Sequence, residues 1–225
     1  MRAAGRDSGA VRGIYRRLLA RYGRQKWWPA DTPFEVIVGA ILTQNTAWAN
    51  VERAIAALKK RRLLTPRGVC RVPVSSLASV IRPAGYFNVK ARRLKNFIRF
   101  LDREYGGSLP ALLAEPAPVL RQKLLGVNGI GNETADCIVL YAAGKPSFVV
   151  DAYTKRLFSR YGLLRADADY AAVQRMFTES LPQSARLFNE YHALIVEHSK
   201  RACSARPLCG QCILRAECRW FSVNR

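Results

Sequence analysis

Residues 125–136 have the sequence Leu125-Gly126-Val127-Asn128-Gly129-Ile130-Gly131-Asn132-Glu133-Thr134-Ala135-Asp136, and Val149-Val150-Asp151 follows a short distance downstream. The glycine spacing predicts a tight hairpin between two helices, the second running from about Asn132 to Ala143. Gly129 and Gly131 can both adopt a positive φ, which would let a phosphate approach bare backbone N–H groups at the start of that helix. An ordinary corner between two helices is equally compatible, because a G-x-G motif alone is weakly specific.

The chain of 225 residues is strongly basic, with 37 Lys and Arg against 16 Asp and Glu and a formal net charge of +21. Such an imbalance is typical of proteins that bind a polyanion, because basic side chains release counterions from phosphates. A membrane surface is the alternative, but no long apolar run occurs, and arginines interrupt any signal-peptide core near the N-terminus. We therefore expect a globular monomer that makes no membrane contact and is located in the cytoplasm, associated with the nucleoid.

The hydrophobic pattern predicts an all-α fold. Apolar residues recur at helical spacing over 11–22, 34–43, 47–62, 75–82, 89–104, 152–161, 169–181 and 185–202. The segment 147–150 looks extended but is too short to found a sheet. Lys90 is expected on the outer face of its helix, together with Arg92, Arg93, Lys95 and Arg99. That face could be merely solvated, or it could contact nucleic acid.

Four of the six cysteines lie near the C-terminus with the spacing C-x5-C-x2-C-x5-C, at Cys203, Cys209, Cys212 and Cys218. Four thiolates in so short a segment can surround one metal centre. Zinc usually binds paired C-x2-C motifs, whereas a single C-x2-C with two longer arms favours an iron–sulfur cluster. Disulfides are a third alternative, and the lack of a secretory signal disfavours them.

The hairpin, the aspartate after it and the cysteine tail together resemble the helix-hairpin-helix DNA glycosylases of the endonuclease III superfamily. The resemblance extends from about Trp27 to Cys218. It implies base excision DNA repair and two helical domains flanking a cleft. Residues 33–145 would form a bundle with the hairpin, and residues 1–32 plus 146–225 would carry the aspartate and the tail. In this family the tail binds a [4Fe–4S] cluster, although its first arm is usually one residue longer.

Asp151 matches the aspartate that the family uses in catalysis. A carboxylate near the sugar stabilises the positive charge that develops as an N-glycosidic bond breaks, or it orients the attacking water. Asp151 could also cap a helix that starts near Ala152. Glu133 stands where bifunctional members carry the lysine that forms a Schiff base, and a glutamate cannot perform that step. The resemblance therefore implies a monofunctional glycosylase that uses water and leaves an abasic site.

A narrower resemblance to the 3-methyladenine DNA glycosylase branch indicates the substrate. Trp27, Trp28 and Pro29, together with Trp48, look like the aromatic base pocket of that branch. An alkylated purine is cationic and electron-poor, so aromatic walls would attract it by stacking and by cation–π interaction. Paired tryptophans can equally belong to a hydrophobic core.

Several further residues are expected to contact double-stranded DNA that contains a damaged base. Gln44 resembles the wedge that fills the space left by an extruded nucleotide, and Tyr86 is the candidate for the opposite strand. At the hairpin, the expected DNA contacts are Val127, Gly129, Gly131 and Asn132.

Two other functions stay open at this point. A bifunctional glycosylase and AP lyase for oxidised pyrimidines would need another amine, for which Lys145 and Lys155 are candidates. A non-catalytic protein would use the hairpin and the tail for damage binding alone. The three functions differ in whether a base is released and in whether the strand breaks without alkali.

Overall fold

The computed structural model describes residues 2–224, with side chains for residues 8–224. This part of the chain is helical and contains no β-strand, which confirms the all-α fold class. None of its helices combines the length and the apolar character needed to cross a membrane. The α-helices are α1 (Arg2–Tyr22), α2 (Pro33–Leu42), α3 (Trp48–Lys60), α4 (Pro66–Arg71), α5 (Val74–Val80), α6 (Phe87–Tyr105), α7 (Leu109–Ala114), α8 (Ala117–Leu125), α9 (Asn132–Cys137), α10 (Ala152–Tyr161), α11 (Tyr170–Ser180), α12 (Ala185–Arg201) and α13 (Arg219–Val223). Shorter helical segments are Arg82–Ala84, the π-turn Ile138–Ala142, Cys209–Gln211 and Arg215–Glu217.

Many of these helices begin where a short polar side chain satisfies an N–H group of the first turn. The capping oxygens belong to Thr32, Thr65, Ser108, Asp151, Asp169 and Ser184. Pro33 and Pro66 come next after their caps, at a position where the missing N–H would have no helical partner. Local chemistry in the sequence therefore sets where these helices start.

The chain divides into two compact units, one of which spans Trp28–Lys145 and contains α2–α9. Its centre is α2, in which every residue from Phe34 to Leu42 is buried. A helix that is buried on all sides requires neighbours all around it, and α3, α6, α9 and the π-turn supply them. The glycine-rich hairpin belongs to this unit.

The other unit joins α1 to the chain from Pro146 onward, which contains α10–α13. Its core is aromatic: Phe148 stacks on Phe177 with ring centroids 3.8 Å apart, and Phe158, Phe188 and Tyr191 meet these rings edge-on. The Tyr191 hydroxyl donates to the Val11 carbonyl at 2.7 Å and links α12 to α1. Asp151 and the four C-terminal cysteines lie in this unit.

The sequence predictions and the observed elements differ in four places. The first helix, predicted over 11–22, already begins at Arg2. The pattern misses α4, α7 and α13, because helices of six, six and five residues are too short to display a period of 3.6. The helix expected over 132–143 changes at Cys137 into the π-turn. Residues 28–32, which we assigned to the domain of the N-terminus, belong to the helical bundle.

Candidate functional site

The glycine-rich hairpin connects α8 to α9. Gly129 has a φ of +98°, and a Cβ at this position would lie 2.3 Å from the Cγ of Arg93, so the backbone and the packing both require glycine. The predicted positive φ is wrong for Gly131, because its φ is −96° and it is the extended N-cap residue of α9. A Cβ on Gly131 would meet open space. Only the first of the two glycines is therefore required by local geometry.

An ion pair between a half-buried arginine and a buried aspartate joins the two helices of the hairpin. Arg121 on α8 donates from Nε to Asp136 Oδ1 at 2.8 Å and from Nη2 to Oδ2 at 3.0 Å, and Asp136 is fully buried. The same Nη2 also donates to Asn132 Oδ1 at 3.0 Å. Val127 does not fit its expected DNA contact, because its side chain is buried and its N–H donates to the Leu124 carbonyl.

Gln44 is attached to this hairpin. Its Nε2 donates to the Gly129 carbonyl at 3.1 Å and to Thr134 Oγ1 at 2.9 Å, and its Oε1 accepts from Arg93. The side chain is half-buried. A wedge role would therefore require Gln44 to exchange these contacts for contacts with DNA.

Tyr86 and Asn45 occupy turns with strained backbones. Tyr86 has a φ of +45° and is 71 % exposed. Both the positive φ and the high exposure are unusual for a large aromatic residue. Asn45, next to Gln44, is exposed with a φ of +52°. Sequence reasoning did not select Asn45, although asparagine is among the residues that tolerate this conformation. Both turns present polar or aromatic groups to solvent.

The prediction that Lys90 lies on the outer face of its helix is wrong. Lys90 is 1 % exposed, and its Nζ donates to the carbonyls of Leu42 and Ala84, each at 2.8 Å. Leu42 ends α2 just before the Gln44 turn, and Ala84 ends the turn before Tyr86. The ammonium group therefore ties the two exposed turns together. Burial, reinforced by the nearby charge of Arg93, lowers the pKa of Lys90 to about 8.

This lowered pKa predicts that stability rises with pH between about 8 and 10.5. In that range the unfolded chain keeps the Lys90 proton, because its pKa is near the ordinary 10.5, while the folded chain releases it. The free energy of unfolding should increase by up to about 3 kcal/mol from this group. Urea unfolding of the wild type and of Lys90→Met at pH 7.5 and pH 10 measures the effect. Equal pH dependence in the two proteins would contradict it.

Two of the predicted pocket aromatics meet in the bundle. The Trp28 ring contacts Trp48 edge-on with centroids 5.1 Å apart, and it lies against Gly39, whose Cβ would be 3.2 Å from Trp28 Cζ2. Tyr141 adds a third ring, 5.1 Å from Trp28 at an angle of 41°. Pro29 is exposed beside them in sequence. Trp27 is half-buried and belongs to the unit that contains Asp151.

Tyr141 was missed by sequence reasoning because its position depends on the π-turn. The Ala143 N–H donates to the Ile138 carbonyl at 3.0 Å, five residues earlier instead of four. Such turns recur at functional sites, because they change the direction of the side chains that follow. No feature of the sequence marked this turn.

Asp151 begins α10, and both of its carboxylate oxygens have contacts. Oδ1 accepts from the Thr154 N–H at 2.7 Å and from Thr154 Oγ1 at 2.9 Å, and Oδ2 lies 3.4 Å from His192 Nε2. Burial disfavours the ionised carboxyl, but His192 and the bonds from Thr154 outweigh this effect and hold the pKa of Asp151 below its ordinary value. The residue therefore remains a carboxylate at neutral pH in a nearly dry setting.

The three other residues with proposed reaction chemistry differ in their surroundings. Glu133 is exposed in the first turn of α9. The Lys145 Nζ donates to the carbonyls of Leu113 and Glu115, and the Lys155 Nζ donates to the Ala168 carbonyl at 3.0 Å. Both lysine amines thus serve as backbone ties, which is a structural role.

The four C-terminal cysteines share one environment. Burial raises the pKa of the Cys212 thiol, and the thiols of Cys203, Cys218 and Cys209 raise it further. No described cysteine forms a disulfide. No group of three or more His, Cys, Asp and Glu side chains within the described residues is arranged to hold a single metal ion, so the cysteines are candidate ligands of a larger cluster.

Hydrogen-bond donors lie near two of the four sulfurs of this loop. His198 Nε2 lies 3.5 Å from Cys212 Sγ, and Arg160 Nη1 lies 3.6 Å from Cys203 Sγ. Arg156 and Arg160 of α10 also donate to backbone carbonyls of the loop at Cys203, Ser204 and Ala205. The thiols of Cys203 and Cys212 thus face a guanidinium group and a ring nitrogen, which suits a centre in which the sulfurs carry negative charge, whereas the Cys218 thiol donates to the Arg160 carbonyl at 3.5 Å.

The family profile described as "HhH-GPD superfamily base excision DNA repair protein" matches residues 38–183. The Methanocaldococcus jannaschii protein MJ1434, which carries the name of a DNA repair glycosylase, is 49% identical over 206 residues, covering 91% of this chain and 94% of that protein. The match therefore includes both compact units.

Two solved structures are similar in fold. One is a trapped covalent intermediate of endonuclease III with DNA, with a TM-score of 0.83 and 24% identity, covering 96% of this chain and 97% of that one. At this identity the likeness establishes the fold alone. The other is the Helicobacter pylori 3-methyladenine DNA glycosylase bound to 1,N6-ethenoadenine, with a TM-score of 0.73 and 27% identity, covering 88% of this chain and 97% of that one.

Proposed function

Because the chain belongs to the HhH-GPD superfamily of base excision DNA repair proteins, we propose that it is a monofunctional DNA glycosylase that removes alkylated purines. Its substrate would be double-stranded DNA that contains a 3-methyladenine-like base, and its product an abasic site. It would act as a monomer on DNA in the cytoplasm or nucleoid. The observation that carries this proposal is the mostly buried carboxylate of Asp151, which accepts two hydrogen bonds from Thr154 and lies 3.4 Å from His192 Nε2.

The chemistry assigned to Asp151 follows from its charge. Breaking an N-glycosidic bond leaves positive charge on the sugar, and a carboxylate in a poorly hydrated setting stabilises that charge strongly. A carboxylate oxygen of Asp151 could also accept a proton from the attacking water. An alkylated purine is already a good leaving group, so the reaction would not require a general acid.

We infer that lyase activity is absent because no candidate residue offers a free amine for a Schiff base. Glu133 carries no amine that could form a Schiff base. Lys145 and Lys155, the two alternatives, donate to backbone carbonyls and would have to break those bonds to attack a sugar. These contacts favour water as the nucleophile.

The preference for an electron-poor purine is inferred from the rings of Trp28, Trp48 and Tyr141. Faces of such rings attract a cationic base, and stacking adds to that attraction. The Helicobacter pylori relative is a 3-methyladenine glycosylase bound to a modified adenine, which supports the same substrate class here. Trp27 and Pro29 remain part of this proposed pocket.

DNA contact is assigned to exposed groups around the two turns and the hairpin. Tyr86 would probe the duplex from its strained turn, while Gly129, Gly131 and Asn132 would let a phosphate approach the start of α9. Gln44 would insert after release from the hairpin, and Val127 would support the turn from within the core. The net charge of +21 would supply non-specific affinity.

The cysteines Cys203, Cys209, Cys212 and Cys218 would hold a [4Fe–4S] cluster. When bound, this group would supply a rigid cross-link for a loop that contains few apolar residues. Arg160 and His198 would donate hydrogen bonds toward its sulfur ligands. Analysis of the purified protein should find four irons and four acid-labile sulfides per chain; zinc without sulfide would contradict the assignment.

The function is tested by incubating the protein with methylated duplex DNA and assaying released bases and strand breaks separately. We expect free 3-methyladenine or 7-methylguanine, with strand breaks only after alkali. Breaks without alkali, together with borohydride trapping on DNA that contains an oxidised pyrimidine, would instead establish a lyase. Tight binding to abasic DNA with no base release from any lesion would establish a non-catalytic role.

A further inference from the structure

The carboxylate of Asp151 is held from two different helices. Thr154, on α10, makes both of its hydrogen bonds to Oδ1. His192, on α12, reaches Oδ2 with Nε2 at 3.4 Å, and its side chain is 5 % exposed. The bonds from Thr154 are those of an ordinary N-cap, and the contact with His192 is additional to them.

A capping aspartate needs only one fixed oxygen, whereas a reacting carboxylate needs a fixed plane. Rotation about the bond between Cβ and Cγ of an aspartate is broad and roughly twofold, so bonds to Oδ1 alone leave the direction of Oδ2 loosely defined. The Asp151 side chain is 13 % exposed, so little solvent is present to restrain it. A second protein contact at Oδ2 removes this freedom.

We propose that His192 is a positioning residue for base release: it holds Oδ2 of Asp151 and so fixes the orientation in which the carboxylate meets the sugar. The inference rests on the proposed function and deepens it. His192 is too buried to touch a substrate and therefore acts through Asp151. In the neutral ring, the contact with an anionic oxygen requires the proton on Nε2.

The other elements near Asp151 contribute uncharged groups. α10 supplies Thr154, and α11 supplies Tyr170, whose hydroxyl accepts from the Val150 N–H at 3.3 Å. His192 is the ionisable side chain that faces the carboxylate from α12. Its replacement therefore changes the restraint on Oδ2 of Asp151.

Three substitutions separate positioning from packing. His192→Leu removes the donor at similar volume, and His192→Gln keeps an amide N–H at nearly the same reach. His192→Asn carries the same amide on a side chain one methylene shorter, so its N–H should not reach Oδ2. It serves as a second variant without the contact if the leucine variant does not fold. Ser199→Ala is the matched control, because Ser199 is a buried residue of α12 whose hydroxyl has no partner in the described residues.

The kinetic measurement is single-turnover base release from methylated duplex. The rate should fall by about 10²-fold in His192→Leu and His192→Asn, since misplacement of a reacting group has effects of this order. His192→Gln should stay within about tenfold of the wild type, and Ser199→Ala should match it. Affinity for abasic duplex should be similar in all of them. Equal rates in the glutamine and asparagine variants would overturn the proposal.

A second measurement does not depend on activity. Carbon-13 NMR of labelled aspartate, with Asp151→Asn to assign the signal, follows the ionisation of Asp151. Its pKa should rise in His192→Leu and His192→Asn, and rise less in His192→Gln, because the contact favours the carboxylate. If the wild type releases no base, the proposed function fails while this titration still decides whether His192 restrains Asp151. An unchanged titration in all variants would refute the restraint.

Discussion

Replacing Asp151 with asparagine is expected to lower the single-turnover rate of base release by at least about 10³-fold, because it removes the charge that we propose stabilises the developing sugar cation. Asparagine is also a good N-cap residue, and its carbonyl oxygen can accept the Thr154 N–H bond. Folding and affinity for abasic duplex should therefore change little. Rates at saturating enzyme, together with thermal unfolding, measure both expectations.

Asp169→Asn is the matched control for this substitution. Asp169 caps α11 in the same manner, accepting from the Ala172 N–H at 2.6 Å, but it is exposed and has no proposed part in the reaction. Its variant should release bases at the wild-type rate. Full base release by Asp151→Asn would remove the residue from the mechanism and leave it only as a helix cap.

Replacing Arg121 with leucine is expected to destabilise the bundle by about 3–5 kcal/mol, because the fully buried Asp136 then loses its guanidinium partner. The loss should also disorder the hairpin, since Arg121 joins α8 to α9 and to Asn132. Urea unfolding followed by tryptophan fluorescence measures the stability, and affinity for abasic duplex measures the hairpin.

Two further variants define how this result is interpreted. Arg103→Leu removes an ion pair with Glu104 that is exposed on both sides, so stability should change by no more than about 0.5 kcal/mol. The double variant Arg121→Leu with Asp136→Leu should recover much of the loss, because it leaves no buried charge. A single Arg121→Leu variant as stable as Arg103→Leu would contradict the assigned role of the pair.

The long helices and the position of Asp151 could be predicted because their signals are local. The observed bounds of α10, Ala152–Tyr161, are those predicted from the sequence, because a capping aspartate precedes the helix and Gly162 follows it. Lys90 could not be predicted, because periodicity assigns a residue to one side of a helix but does not reveal what covers that side. Here the carbonyls of Leu42 and Ala84 cover it and make burial of the ammonium group possible.

The contacts of Gln44 and His192 required tertiary information. Gln44 meets a hairpin 85 residues later in the chain, and no local pattern encodes that distance. His192 carried a faint signal, since it is a polar residue within the apolar run from Tyr191 to Val196. A buried histidine in such a run indicates an important partner but does not name it.

The π-turn has a consequence for how this protein family can evolve. Each residue of an α-helix turns the chain by about 100°, so one residue gained or lost redirects every later side chain of the same helix. Deleting one residue of the π-turn ahead of Tyr141 would restore ordinary helical winding and turn the Tyr141 ring away from Trp28. Insertion or deletion of one codon ahead of Tyr141 could thus exchange the aromatic neighbour of Trp28 without substituting any residue, and so reshape the proposed base pocket.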